Sequence, residues 1–381
     1  MHLCPRSAAL ALLVVLPACG SGGASGDAVV PSPRFSTLQA AIDGLPSGSV
    51  VRLLPGTIRE TVVLDGKRLT LLGSEDPAAP SQITAPSPND PAVVILRNGA
   101  VLEAHDLTIS GGQAGILAPR PPPQAVGDFA PCSLVGTALS LVASGRGVAG
   151  AFDRVVLTDG EVGLHAGTGI SLADVILLRI ERTRIHGNRG VGLYLDNHGG
   201  LDATDVPIIG TFHLVVDAVI EDNERGGIDV WGDAVPVAIV TSTLARNGLY
   251  GIQFDGANGS LVSACRVEGS KKSPGGIHGD GILVHSSIGL RILGTSLVSN
   301  ERVGIAVYGC KTPVATGPSE VFASGLRLSL NAVSLANSDS DACLSPGGGW
   351  FRDLGGNVCD GGTCSVTSET LAPIDEPVHT P

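Results

Sequence analysis

Three carboxylates, one imidazole and three aromatic rings carry most of the chemistry this sequence can offer: Asp196, Asp229, Asp255, His285, Tyr194, Trp231 and Tyr308. An aromatic ring stacks on the apolar face of a sugar while a neighbouring acid bonds its hydroxyls, so this mixture suits carbohydrate binding. Two carboxylates standing roughly 8 Å apart could instead serve as the general acid and general base of an inverting glycosidase. The chain has three Tyr and two Trp, and two of those Tyr and one Trp fall in this set, which argues for a ligand surface. Against it stands a plain solvated wall, since an acidic protein must put carboxylates somewhere.

These residues can meet only if the chain returns repeatedly to one place. Between Arg184 and Tyr308 a phrase recurs four times: aliphatic, two residues, Asn, three residues, Gly, aliphatic, any, apolar. It reads Ile185, Asn188, Gly192, Leu193, Leu195; then Ile220, Asn223, Gly227, Ile228, Val230; then Leu244, Asn247, Gly251, Ile252, Phe254; then Leu297, Asn300, Gly304, Ile305, Val307. A further copy keeps only Gly281, Ile282 and Val284, behind an insertion at Ser270 to Gly279. Successive glycines lie 35, 24, 30 and 23 residues apart, so a fixed phrase is joined by connections of variable length, as in a solenoid. Alternation after the Gly predicts a short strand with one buried face. The Asn suits a turn at positive φ, and stacked Asn side chains can form an amide ladder. If positions one and three after each Gly point inward, positions two and four point outward. Position two reads His165, Tyr194, Asp229, Gln253, Leu283, Ala306, and position four reads Gly167, Asp196, Trp231, Asp255, His285, Tyr308. The first member of each series takes Gly163-Leu164-His165-Ala166 as a copy with Asp159 in the Asn column.

On these phrases the chain resembles the right-handed parallel β-helix proteins of the pectin-lyase-like superfamily. The resemblance implies an all-β solenoid with a short N-terminal capping helix, of about ten or more coils. A leucine-rich repeat would need an L-x-x-L-x-L frame and a helical return, and neither is visible. Phe35 to Gly44 predicts the helix, with Ser36 or Thr37 as N-cap and Gly44 as stop. The strands that follow, broken at Pro55-Gly56, Asp65-Gly66 and Gly73, resemble the opening of many β-helix proteins, including pectin methylesterases, whose catalytic motifs are not found downstream. Asn247 to Asp255 is similar to the segment of alginate C5-epimerases that carries Y-G-[IF]-D-P-H-[DE]. Tyr250, Gly251 and Ile252 match it, but Gln253, Phe254, Asp255 and Gly256 replace the working set. Gly276 to Gly281 resembles the G-H-G of polygalacturonases without the Asp-Asp pair. No activity carries over from any of these families.

Met1 to Gly20 reads as an export signal, with Arg6, an apolar run at Ala8 to Leu16, and Leu16-Pro17-Ala18-Cys19 at its end. It resembles a bacterial lipoprotein signal, which implies lipidation of Cys19. The domains expected are the signal at 1–19, a flexible Gly/Ser/Pro tether at 20–34, the β-helix at 35–337, and a Gly/Cys-rich cap and tail at 338–381. Arg120 to Pro131 is Pro-rich and predicts a protruding loop. Six cysteines remain after the signal and anchor: Cys132, Cys265, Cys310, Cys343, Cys359 and Cys364. In an exported chain they are disulfide candidates, with Cys265 alternatively a buried thiol in its strand.

The net charge of −12 and the lack of a basic stripe speak against nucleic acid. No cofactor and no metal site is expected. The sequence Asn337-Ser338-Asp339-Ser340-Asp341 offers hard oxygens for Ca²⁺ but lacks the Gly turn and distal Glu of a proper loop. The expectation is a monomeric envelope or surface protein, periplasmic or at the cell surface, touching membrane only through its anchor. Its first reading is noncatalytic binding of a polysaccharide or envelope glycan through Tyr194, Asp196, Asp229, Trp231, Asp255, His285 and Tyr308. The alternatives are a polysaccharide hydrolase or lyase working through Asp196, Asp229, Asp255 and His285, and a purely structural protein.

Overall fold

The computed structural model describes residues 26–120, 130–196, 212–232, 235–272, 278–308, 319–338, 350–360, 362–364 and 367–368. The chain winds as a solenoid in which strands pair in parallel with their counterparts one coil later. One coil runs Leu177–Glu181, Arg184–His186, Val191–Asp196, and the next repeats it as His213–Val216, Val219–Glu221, Gly226–Trp231. The first two strands of each coil belong to a bent sheet A, and the third builds sheet B. Between them lies an apolar core that includes Ile185, Leu193, Ile228, Ile252, Phe254, Ile282 and Ile305, all fully buried.

Two bends per coil are made by single residues in the left-handed region. The first bend holds Arg182, Asp217, Thr241, Ala264 and Gly294 at φ 46°, 50°, 48°, 53° and 55°. The second holds Asp222, Arg246, Gly269, Ser299 and Leu330 at φ 54°, 53°, 64°, 55° and 58°. Positive φ therefore falls on the residue before each Asn and not on the Asn, as the sequence had suggested. The Asn is turned inward instead. Asn188 Nδ2 donates to Asn223 Oδ1 at 2.8 Å, Asn223 Nδ2 to Asn247 Oδ1 at 2.9 Å, and Asn300 Nδ2 to Asn331 Oδ1 at 2.9 Å. Backbone N–H groups of Asn188, Asn223 and Ser270 donate to the oxygen of the following coil's Asn. Ser270 thus occupies the ladder position of the incomplete copy.

His165 is the ladder residue of its own coil, which corrects the reading of Gly163 to Ala166 as a copy. Glu161–Gly163 pairs with Arg184–His186, so His165 falls beside Asn188, and Gly169-Ile170-x-Leu172 is the true strand phrase. His165 N donates to Asn188 Oδ1 at 3.2 Å, and its Nδ1 accepts from Ser144 N at 3.1 Å, which is the acceptor's part that an amide oxygen plays elsewhere. Burial pushes this imidazole down to about 4, so it stays neutral and able to accept. Asp159 sits in the outer bend at φ 54° and pairs with Arg182. Neither His165 nor Gly167 lies on the sheet B strip.

The ends differ from expectation too. Asp27–Val30, inside the stretch expected as tether, pairs in parallel with Ser49–Leu53, and Val30 is buried. Helix Leu38–Gly44 lies at this end, as the sequence predicts. Its N-cap Thr37 accepts from Ala40 N, the Glu60 carboxylate accepts from Leu38 N and Gln39 N, and Lys67 Nζ donates to the carbonyls of Ile42, Asp43 and Leu45. At the other end Trp350–Asp353 and Val358–Cys359 continue sheet A in parallel, so coiling extends into the region expected as a separate cap.

Cys359 and Cys364 form a disulfide across a short antiparallel pairing. Cys132 and Cys265 are free and buried. Cys265 Sγ donates to Ile239 O while its N–H donates to Thr295 Oγ1, one coil on from Ser242 Oγ accepting from Ala218 N, so the thiol stands in a Ser/Thr column. Cys19, Cys310, Cys343 and most of the Pro-rich stretch lie outside the described residues.

Removing an inner rung of the amide ladder leaves buried donors without acceptors. Asn223→Ala strips the acceptor from both Asn188 N–H groups and should lower stability by about 2–4 kcal/mol, read as a shift in the urea unfolding midpoint. A loss below about 1 kcal/mol would mean that water replaces the amide.

Candidate functional site on sheet B

The outer face of sheet B is assembled by register. Tyr194 stands opposite Asp229 and Asp196 opposite Trp231 on the next strand. Asp229 then faces Gln253, and Trp231 faces Asp255. Asp255 is followed by His285, and His285 by Tyr308. The expected strip from Tyr194 to Tyr308 therefore forms two parallel files along the axis, Tyr194 and Asp229 in one and Asp196, Trp231, Asp255, His285 and Tyr308 in the other.

Exposure is where expectation fails. Tyr194, Asp196 and Trp231 are half-buried, but Asp229, Asp255, His285 and Tyr308 retain only 1%, 6%, 8% and 6% of their surface. Outward from the core does not mean outward to solvent, because this face carries a second apolar cluster. Leu283, Val303 and Ala306 pack there with the rings of Tyr250 and Tyr308. The strip is thus open at its Tyr194 end and closed toward Tyr308.

At the boundary lies Asp229. Tyr250 Oη donates to its Oδ2 at 2.9 Å, while Oδ1 is buried and accepts no hydrogen bond among the described residues. Burial pushes Asp229 up to about 7. The Tyr250 hydroxyl opposes that shift, the nearby Asp255 charge adds to it, and the Trp231 indole opposes it slightly. Tyr250 reaches back to Asp229 because its partner one coil earlier is Gly226: a Cβ there would come within 2.3 Å of the Tyr250 ring. Burial, with Asp196 and Asp229 adding, raises Tyr194, so both phenols stay neutral donors.

The closed end is a second polar group. Arg302 Nε donates to Asp280 Oδ1 at 2.8 Å, its Nη2 pairs with Asp280 Oδ2, and Nη2 also reaches Tyr308 Oη at 2.8 Å. The Tyr308 ring stacks on His285 with centroids 4.6 Å apart and planes 13° from parallel. Burial raises Asp280 to about 6 against the pull of Arg302, so the pair is ionised at neutral pH. Burial, with His278 and Arg302 nearby, lowers His285 to about 4, leaving a neutral imidazole.

Sequence reasoning left Tyr250, Asp280 and Arg302 out of the strip, because it counted only positions after the Gly. The available signal was Tyr250 occupying the position that Gly226 holds one coil earlier. No group of three or more metal-ligating side chains is assembled among the described residues, and Asn337 to Asp341 runs beyond them.

The folded chain holds a proton on Asp229 that the unfolded chain, with an ordinary value of 3.8, releases. Stability contributed by this group therefore falls as pH rises from about 4 to about 7, by up to about 1.4 kcal/mol per pH unit. Asp229→Asn keeps an acceptor for Tyr250 and removes the slope. It should match the parent near pH 4 and exceed it by about 2–4 kcal/mol at pH 8, in urea unfolding run at both pH values. An equal offset at both would show that Asp229 is ionised throughout.

Residues 156–324 match the family described as right handed beta helix region. No curated protein matches the chain. Among solved structures, the A-module of Azotobacter vinelandii mannuronan C-5 epimerase AlgE4 is 15% identical with a TM-score of 0.61, over 87% of this chain and 92% of that one. The catalytic unit of a thermostable GH87 α-1,3-glucanase from Streptomyces thermodiastaticus is 14% identical with a TM-score of 0.55, over 92% and 72%. A point mutant of the periplasmic alginate epimerase AlgG is 13% identical with a TM-score of 0.54, over 84% and 83%. At such identities the likeness concerns the fold. The chain is a right-handed parallel β-helix repeat protein with the pectin-lyase-like fold.

Proposed function

We propose that this chain is an exported, lipid-anchored envelope protein that binds a polysaccharide across the open end of sheet B, at Tyr194, Asp196 and Trp231. The carrying observation is that an aromatic ring, a carboxylate and an indole from adjacent coils stand side by side in register and half-exposed. Rings at this spacing offer apolar faces to sugars, and the flanking acid orients hydroxyls. Solved proteins of similar fold include an epimerase named for mannuronan and a glucanase, so a glycan is a ligand class that this architecture meets in other proteins.

The anchor rests on the leader and on Cys19, which precedes the first strand at Asp27 by a few residues. A short link of this kind would hold the solenoid close to the membrane surface. Among the described residues no helix is long and apolar enough to cross a membrane.

Trp231→Ala and Tyr194→Ala should each weaken binding of a matching soluble glycan by roughly tenfold or more, with the unfolding midpoint little changed; an array of neutral and acidic polysaccharides identifies the glycan first. Unchanged affinity in both variants would move the ligand off this face. In a lipoprotein-processing bacterial host, Cys19→Ser should shift the protein from the detergent phase to the aqueous phase, and retention in detergent would discount the anchor.

A further inference from the structure

The N-terminal end of the solenoid differs in charge from everything beyond it. Residues 26–67 carry four acids, Asp27, Asp43, Glu60 and Asp65, against four bases, Arg34, Arg52, Arg59 and Lys67, and so are neutral. With Arg6 in the leader, residues 68–381 hold the other 32 of 36 acids and 19 of 24 bases, a charge of −13. Three of the four acids at the neutral end are engaged. Glu60 accepts from Leu38 N and Gln39 N, Asp43 accepts from Gln39 Nε2 at 2.7 Å, and Asp65 accepts from Asn98 Nδ2 at 2.6 Å. Lys67 is spent on the carbonyls that end the helix. Arg34, Arg52 and Arg59 are exposed and meet no acid among the described residues; Arg34 lies 4.8 Å over the Phe35 ring. At the bends farther along, by contrast, Arg182 is held by Asp159 and Glu181, and Arg246 by Glu221 and Asp222.

Two large apolar side chains share this rim with the arginines. Val29 is 40% exposed and is the cross-strand partner of Arg52, and Leu54 is 46% exposed, its N–H donating to Val30 O. Cys19 precedes Gly26, the first described residue, by seven positions that are all Gly, Ser or Ala. A flexible link of that length spans about 15 Å on average and about 25 Å at most. An acyl chain on Cys19 therefore brings this end of the solenoid, and no other, to the lipid headgroups.

We propose that the N-terminal end seats on anionic phospholipid headgroups through Arg34, Arg52 and Arg59, with Val29 and Leu54 beside them, so that the solenoid stands upright on the leaflet; this rests on the Cys19 anchor proposed above. Headgroup charge reaches only about 10 Å into solvent at 0.1 M salt, so it attracts the arginines of the seated end. The acidic coils are repelled wherever the solenoid tilts toward the surface. Twelve successive parallel pairings carry sheet A from Asp27–Val30 to Trp350–Asp353. At about 4.8 Å each they make an upright body about 60 Å tall. The coil of Tyr194 lies six pairings along, which holds the glycan face about 30 Å above the seat.

The full lipidated chain, purified from bacterial envelopes, would be reconstituted on supported bilayers and its layer thickness read by neutron reflectometry. One bilayer is an equal mixture of phosphatidylethanolamine and phosphatidylglycerol, and the other is phosphatidylcholine alone. Expected is a layer of about 60 Å on the anionic bilayer, falling to roughly half on phosphatidylcholine, where the link leaves tilt free. The same fall is expected on the anionic bilayer at about 1 M salt, where screening is complete within about 3 Å. Replacing the three arginines together (Arg34→Glu, Arg52→Glu, Arg59→Glu) should also lower the layer, with detergent partitioning and the unfolding midpoint unchanged. Mass spectrometry of the purified chain reports the anchor separately. A chain without acyl groups overturns both readings. An acylated chain that lies flat on the anionic bilayer, stands equally tall on phosphatidylcholine, or ignores the arginine replacements overturns the membrane seat and leaves the anchor intact.

Discussion

A buried amide satisfied by the ladder residue or a backbone carbonyl of an adjacent coil is the constraint on which this structure depends. Asn188, Asn223, Asn247 and Asn300 are at most 1% exposed, and each spends its carboxamide on a neighbouring coil. A slip of one residue in any coil would leave several buried donors and acceptors unpaired, each costing on the order of 1–3 kcal/mol. Aliphatic stacking supplies far more total stabilisation, but it is tolerant of register. The ladder is not. It is the directional part of the core, and it converts a loosely periodic sequence into a file of aligned strands.

Alignment has a functional consequence that composition could not provide. Residues more than twenty positions apart become lateral neighbours, so Gly226 can make space for the Tyr250 ring, and Tyr250 can in turn fix Asp229. The arrangement works against stability: burial raises Asp229 and lowers His285, and both shifts record free energy withheld from folding. The ladder itself accepts a similar cost at His165, which keeps its ring neutral to serve as an acceptor. That cost is offset by a backbone N–H satisfied on each side. At Asp229 the return is the buried Tyr250 hydroxyl satisfied by Oδ2, while Oδ1, like His165 Nε2, has no partner among the described residues.

Fold and register were legible in the sequence because the Asn–Gly phrase marks both the ladder and the strand. Where a different chemical group filled the same role, reading by residue type failed. His165 accepts as an amide oxygen does, and its coil was consequently read six residues out of phase, on Gly163 in place of Gly169. Ser270 holds a ladder position behind an insertion and carries no Asn to announce it. Alternation gave the direction of Asp229, Asp255 and His285 correctly but could not give their exposure. Exposure depends on what lies across the outer face, which strand periodicity does not encode.

The gradient along that face decides where a ligand can lie. From Tyr194 to Trp231 the rings are half-exposed, and from Gln253 onward the side chains are buried against Leu283, Val303 and Ala306. The closed end is held by the Asp280–Arg302 pair, with Tyr308 bridging to the His285 ring. Separating a buried ion pair strands both charges, at several kcal/mol, so this end resists opening. Sheet B therefore presents half-exposed aromatic rings at one end and an ionic lock at the other. Asp229 lies at the junction, where the half-exposed part of the face meets the buried part. The carboxyl placed there is closed off from solvent, with one of its oxygens fixed by Tyr250.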